Sequence, residues 1–156
     1  MSTLTSAARS QSIDATEGAE QLINAEVGPY IVFGAYEQDN DISNGKEDIE
    51  WLVLAREGNS ALIISKYALD CQKYNESWEN VTWETCSLRS WLNKTFIGEA
   101  FSEKEQNSIR SSIVTADGNS KHDVSPGNDT IDKIFLLSMT EANTLISLKM
   151  LLKIYF

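Results

Sequence analysis

At 156 residues, with 42% apolar and 9% aromatic side chains, the chain is long enough for one domain with a real core and too apolar for a disordered tail. Its 23 acidic against 13 basic residues, a net charge of −10, argue against nucleic acid, which needs clustered Lys and Arg, and against an anionic membrane surface. Solubility is the plainest use of such acidity.

Residues 1–26 are polar and rich in Ser, Thr and Ala, without the apolar core of a secretory signal, and are expected to be a disordered leader. No apolar run is long enough to span a bilayer, which makes the cytoplasm the default location. Gly28-Pro29 ends the leader. Residues 30–33 read as a short strand closed by Gly34, and residues 37–50 as a polar, acidic loop. The clearest strands are 49–55 and 60–65, with Glu57-Gly58-Asn59 as a tight turn between them, so the pair is a hairpin. Residues 51–54 and 61–64 are apolar at every position, as in strands covered on both faces.

Tyr67, Tyr74, Trp78 and Trp83 are spread through an ordered polar loop. Exposed aromatics among Asn and Glu suit stacking on a carbohydrate or peptide with polar contacts at the edge, so these four are the candidate ligand contacts. The alternative is that they pad the loop against the sheet. The next segment, TWETCSLRSWLN at 82–93, places Leu88, Trp91, Leu92 and Phe96 at i, i+3, i+4 and i+8, one face of a helix over about 86–94. Thr85 or Ser87 is placed to cap it, Trp91 is expected in the core, and Arg89 lies off that face, free to pair with an acid. Ser102 to Glu105 is a capping box opening a second helix, which Ile109 and Ile113 continue inward. Residues 116–130 have loop composition, and 134–137 form a short apolar strand. A second capping box at Ser138 to Glu141 starts a last helix with Ala142, Leu145 and Ile146 on one face. Residues 145–156 are then apolar nearly all round, asking for burial with no further element to cover them.

Chemistry-bearing motifs are sparse. Asp39, Asp41, Ser43 and Glu50 occupy positions 1, 3, 5 and 12 of a calcium-loop pattern, but Asn44 stands where the turn needs Gly and no helices flank it. They are weak metal candidates in what is otherwise a solvated acidic loop. The single His, His122, sits in a Gly/Asn/Ser loop with nothing to place it near a cysteine. A Cys71–Cys86 bridge would add roughly 3 kcal/mol, yet two cysteines do not make a disulfide framework, and reduced thiols are expected. Phosphate-loop, G-x-G-x-x-G, C-x-x-C and H-E-x-x-H patterns are absent, and no cofactor is expected. The sequons at Asn75, Asn80, Asn93 and Asn128 matter only in a secretory pathway.

Several strings occur together in order: VFGAYEQ at 32–38, IEWLVL at 49–54, ALIISKYALD at 61–70, Tyr74-Asn75, TWETCSLRSWLN, AFSEKEQ at 100–106 and IFLLS at 134–138. As a set they resemble the uncharacterised bacterial domain-of-unknown-function family six-two-seven-three, over about residues 27–142. Glu37 stands where that family often has Pro. The resemblance implies a fold of the C-type-lectin and sulfatase-modifying-factor group, used largely for display and binding. Members typically continue with a segment like WWLRSPG and end near GVRPAL, and neither string occurs here. The catalytic cysteines of sulfatase-modifying enzymes lie in the later half of that fold, so Cys71 and Cys86 do not inherit their role.

The expectation is therefore an α+β domain over 27–142, a small antiparallel or mixed sheet around the hairpin 49–65 with short packed helices. It would be an incomplete C-type-lectin-like unit with a divergent tail at 143–156. Its expected function is non-enzymatic binding or display of an unknown protein or glycan, with self-association through an open sheet edge. The alternatives are an enzyme or enzyme remnant of the sulfatase-modifying type, or an inactive truncated fragment.

Overall fold

Gly58 and Asn59 alone turn the chain between two antiparallel strands, β2 (Glu47–Glu57) and β3 (Ser60–Ser65), with Glu57 paired to Ser60. Gly58 sits at φ +58 and Asn59 is not left-handed, the glycine-first pattern of a two-residue hairpin turn. The computed structural model describes residues 28–118, 124–138 and 152–155. The leader, His122 and the helix expected around Ala142, Leu145 and Ile146 lie outside the described residues.

The architecture is α+β. A five-stranded sheet runs in the order β1-β2-β3-β7-β6, with every pairing antiparallel, where β1 is Tyr30–Tyr36, β6 is Ile134–Leu136 and β7 is Leu152–Tyr155. A separate ribbon pairs β4 (Ser112–Val114) with β5 (Thr130–Asp132). One helix, α1, covers residues 87–100; its ends, Ser87–Trp91 and Ile97–Ala100, are α-helical and its middle, Leu92–Phe96, is a π-helical turn. A short α2 follows at Glu103–Ser108, with both halves of the Ser102/Glu105 capping box formed. No helix among the described residues is long and apolar enough to cross a membrane.

The core lies between one sheet face and α1. Ile31 and Phe33 of β1, Ile49, Trp51 and Val53 of β2, and Ile63 of β3 share it with Leu92, Phe96 and Phe101. The period-two burial of β2 is that of a strand with one face inward. β3 is buried at five of its six positions, which fits the expectation of cover on both faces. Trp51, wholly buried, donates from Nε1 to the carbonyl of Phe33 at 2.7 Å. That carbonyl lies in a bulge, where Phe33 and Gly34 together oppose Ile49. Gly34 is obligatory there: φ is +73, and a Cβ would come within 2.7 Å of the Phe101 ring and of the Ala100 carbonyl.

Three local expectations change. The start of α1 is capped by Cys86, whose Sγ accepts from the Arg89 N–H at 3.4 Å, and not by Thr85 or Ser87. Ile113 does not continue α2 inward: it lies on β4, 72% exposed, opposite Ile131 of β5, which is 68% exposed. The apolar tail is not a bare helix throughout, for Leu152–Tyr155 form β7 between β3 and β6. β3 is thereby an interior strand, flanked by β2 and β7. The register stacks Ile63, Ile154 and Ile134 in one row across three strands, each fully buried.

That row makes Ile154 a core residue. Ile154→Ala is expected to cost about 2–5 kcal/mol, read as a shift of the urea midpoint at unchanged slope. A loss below about 0.5 kcal/mol, the range of surface substitutions, would mean that β7 does not hold the sheet.

Candidate functional site

Trp83, Glu84, Arg89 and Asn93 of TWETCSLRSWLN all bond to one short segment, 128–134. Arg89 Nε contacts both carboxylate oxygens of Asp132, at 2.8 and 3.0 Å, and its other nitrogens donate to the carbonyls of Glu84 at 3.0 Å and Ile131 at 3.5 Å. Asp132 is only 3% exposed. It also accepts from Trp83 Nε1 at 3.0 Å and from Thr130 Oγ1 at 2.6 Å, so the buried charge is met by a cation and two neutral donors. Glu84 takes the backbone and side-chain N–H groups of Asn128 at 3.0–3.1 Å, which hold its carboxyl below the usual range. Asn93 donates to the Ile134 carbonyl at 2.9 Å and accepts from the Lys133 and Ile134 N–H groups at 2.9 and 3.1 Å. One amide thus takes the place of a neighbouring strand along the outer edge of β6.

Beside this clamp lies a groove of about 300 Å³. One wall is the loop with Gln72, Lys73 and Glu76; the other is α1, with Leu88 and Trp91 as apolar surface and Ser90, Lys94 and Thr95 as polar surface. The loop wall is fixed by the start of the helix. The Leu88 N–H donates to the Tyr74 carbonyl at 3.2 Å, the Ser87 N–H to Asn75 Oδ1 at 3.0 Å, and the Glu76 N–H to Ser87 Oγ at 2.9 Å. Tyr36 Oη donates to Asp70 Oδ2 at 2.6 Å and ties the same loop to β1. The π-helical turn carries Lys94 and Thr95 into this wall.

The four aromatic candidates are not brought together, and none lines the groove. Trp78 is fully exposed. Tyr67, 54% exposed, and Tyr30 sit about 5 Å from Lys66 Nζ, which pairs with Glu50 at 2.6 Å. Tyr74 is half-exposed, with its phenol pushed up to about 12 by burial and then by the Cys86 thiol. Trp83 turns inward, packed against the core and bonded to Asp132. Trp91 was expected in the core; it is half-buried, one ring contact given to Phe96 at 5.4 Å and the remainder lining the groove. Sequence periodicity put Trp91 on the correct face but could not show that the apolar stripe runs out past the core. The lysines and hydroxyls of the groove carried no motif at all.

The acidic loop spends its carboxylates on itself. Asp39 accepts from the Asp41 N–H at 2.8 Å and Asn44 Nδ2 at 2.9 Å; Asp41 accepts from the Ser43 N–H and hydroxyl at 3.0 and 2.6 Å. Glu50 lies on β2, paired to Lys66. A different trio converges instead: one oxygen each from Glu37, Asp39 and Glu47 lie within 4.8 Å of one another. Glu37 Oε1 is buried without a partner, and its carboxyl is raised by desolvation first and then by the charge of Glu47. Both cysteines are free thiols, Cys71 exposed and Cys86 buried. Three of the four sequon asparagines, Asn75, Asn93 and Asn128, have their amides committed to the internal bonds described above.

Fold and site together define a small α+β domain in which one helix is bolted to two late strands, β5 and β6, by Arg89 and Asn93 of a single motif. The chain belongs to the family described as Domain of unknown function (DUF6273), whose profile matches residues 58–152, more than half of its length. The match begins at the hairpin turn rather than near residue 27, and it runs past Ala142 to the first residue of β7. No curated protein and no solved structure matches the chain.

Arg89→Leu is expected to cost about 3–5 kcal/mol, because it leaves the Asp132 charge buried without its cation. The double variant Arg89→Leu/Asp132→Leu should recover part of that loss in urea melts; additive losses would show the two residues to be uncoupled. Calorimetric titration with calcium is expected to be the same for the parent and for Glu50→Gln. A heat that disappears with Glu50→Gln would restore the twelve-position loop.

Proposed function

We propose that the protein is a non-enzymatic binding module and that its ligand, a glycan, is held in the groove between residues 72–76 and α1. The observation that carries this reading is the half-buried Trp91, a fixed aromatic surface rimmed by Gln72, Ser87, Ser90 and Thr95. A sugar ring presents apolar C–H faces and polar edges, and an aromatic floor with amide and hydroxyl neighbours meets both. The loop wall is tied to the start of α1 by one backbone bond and two bonds between backbone N–H groups and side-chain oxygens, so little order has to be created on binding. The thiol of Cys86 is used in a cap, which is a structural rather than a catalytic employment. The C-type-lectin resemblance is drawn from the sequence strings alone and adds no residue to the site.

Ser90 is exposed on the groove wall and has no packing role to lose. Ser90→Trp is expected to fill the groove and to abolish signal on a glycan array, with the melting temperature unchanged. Trp78→Ala, at a fully exposed position outside the groove, is expected to bind as the parent does. The reverse pattern, loss with Trp78→Ala and retention with Ser90→Trp, would move the contact surface to the loop around Trp78.

A further inference from the structure

The bases of this acidic chain are unevenly committed. Lys46 donates to the Glu99 carbonyl, Lys66 to Glu50, Arg110 to Ser60 Oγ and Lys133 to the Gln106 carbonyl. Arg89 is held by Asp132, and Arg56 and Lys104 are engaged as well. Among the described side chains, two ammonium groups stand apart. Lys94 has no hydrogen-bonded or ion-paired partner, and Lys73 has only a loose, exposed contact with Glu76 at 3.7 Å. Both line the one groove just described, from opposite walls. The groove thus holds two cations against the single carboxylate of Glu76, on a chain whose net charge is −10.

A field of that kind repels anions everywhere except where local cations reverse it. Lysines that served only solubility would have no reason to gather at the aromatic floor, since acidic residues already supply the net charge. Resting on the glycan reading above, we infer that the groove selects an acidic saccharide, one whose carboxylate reaches Lys94 and Lys73 while its ring lies on Trp91. Lys94 is the specificity-determining residue: it is exposed and unpartnered, so its whole charge is available, whereas Lys73 must first leave Glu76. No covalent step is involved. An ion pair at an exposed lysine is screened by water, so each such contact is expected to give only about a twofold to fivefold preference.

The test uses an oligogalacturonate and the neutral oligogalactose made from it by carboxyl reduction, a pair alike in everything but charge. The parent protein is expected to bind the acidic form about fivefold more tightly or better, with affinity falling as salt rises. Lys94→Glu should erase that preference at an unchanged melting temperature; Lys73→Gln should reduce it in part. Equal affinity of the parent for the two forms would overturn the acidic selection and leave the glycan reading standing. Failure of both forms, and of the wider glycan array, would take down the two together. An acidic preference that survives Lys94→Glu, or displacement of the saccharide by a polyglutamate peptide at equal concentration, would also overturn the inference.

Discussion

A carboxylate at 3% exposure is costly unless it is fully met, and Asp132 is the place where this fold commits to one. Its partner Arg89 lies 43 residues earlier in the chain, on a helix; Trp83 lies 49 earlier, in the loop before it. Satisfying Asp132 therefore fixes where α1 sits relative to β5. Once α1 is placed, its inward residues Leu92 and Phe96 meet the sheet and its outward residues become one wall of the groove. Glu84 and Asn93 repeat the same docking at Asn128 and Ile134. The ionic pair contributes less as net stabilisation than as register, since alternative placements of the helix would strand a buried charge.

The hairpin, the capping box at Ser102 and the existence of α1 were legible from local pattern, because each depends on residues within a few positions of one another. The groove was not. Its walls meet only because Asn75 and Tyr74 cap the start of α1, a tertiary bond with no periodicity. Trp91 shows how far periodicity reaches: it assigns a face but not how far the neighbouring layer extends beneath it. β7 was missed for a related reason. Lys153 interrupts an apolar run, and helix and strand remain ambiguous in short runs of that kind until a pairing partner is known. Composition alone could not place the individual aromatics of the loop 67–83. Its aromatics serve separate ends, Trp83 the clamp, Tyr67 a lysine and Trp78 solvent.

The clamp and the groove share α1, so the proposed binding would be linked to folding stability. The proposed ligand, resting on Trp91 and Lys94, would touch the same helix that Arg89 and Asn93 fasten from its other side. Ligand binding to the folded form alone would stabilise the whole unit by mass action rather than tighten one loop. The π-helical turn lies at the junction of these two roles, carrying Asn93 toward β6 and Lys94 toward the groove in successive residues.

The position of β7 also sets the order in which the protein can come into being. β3 pairs first with β2 through a two-residue turn, but its other side waits for residues 152–155, nearly ninety positions downstream. During synthesis at about 5–20 residues per second, the nascent chain therefore carries a nearly all-apolar strand with an unpaired side for several seconds before its neighbour exists. For that interval β3 keeps an unpaired apolar edge, the kind of edge on which premature association can start.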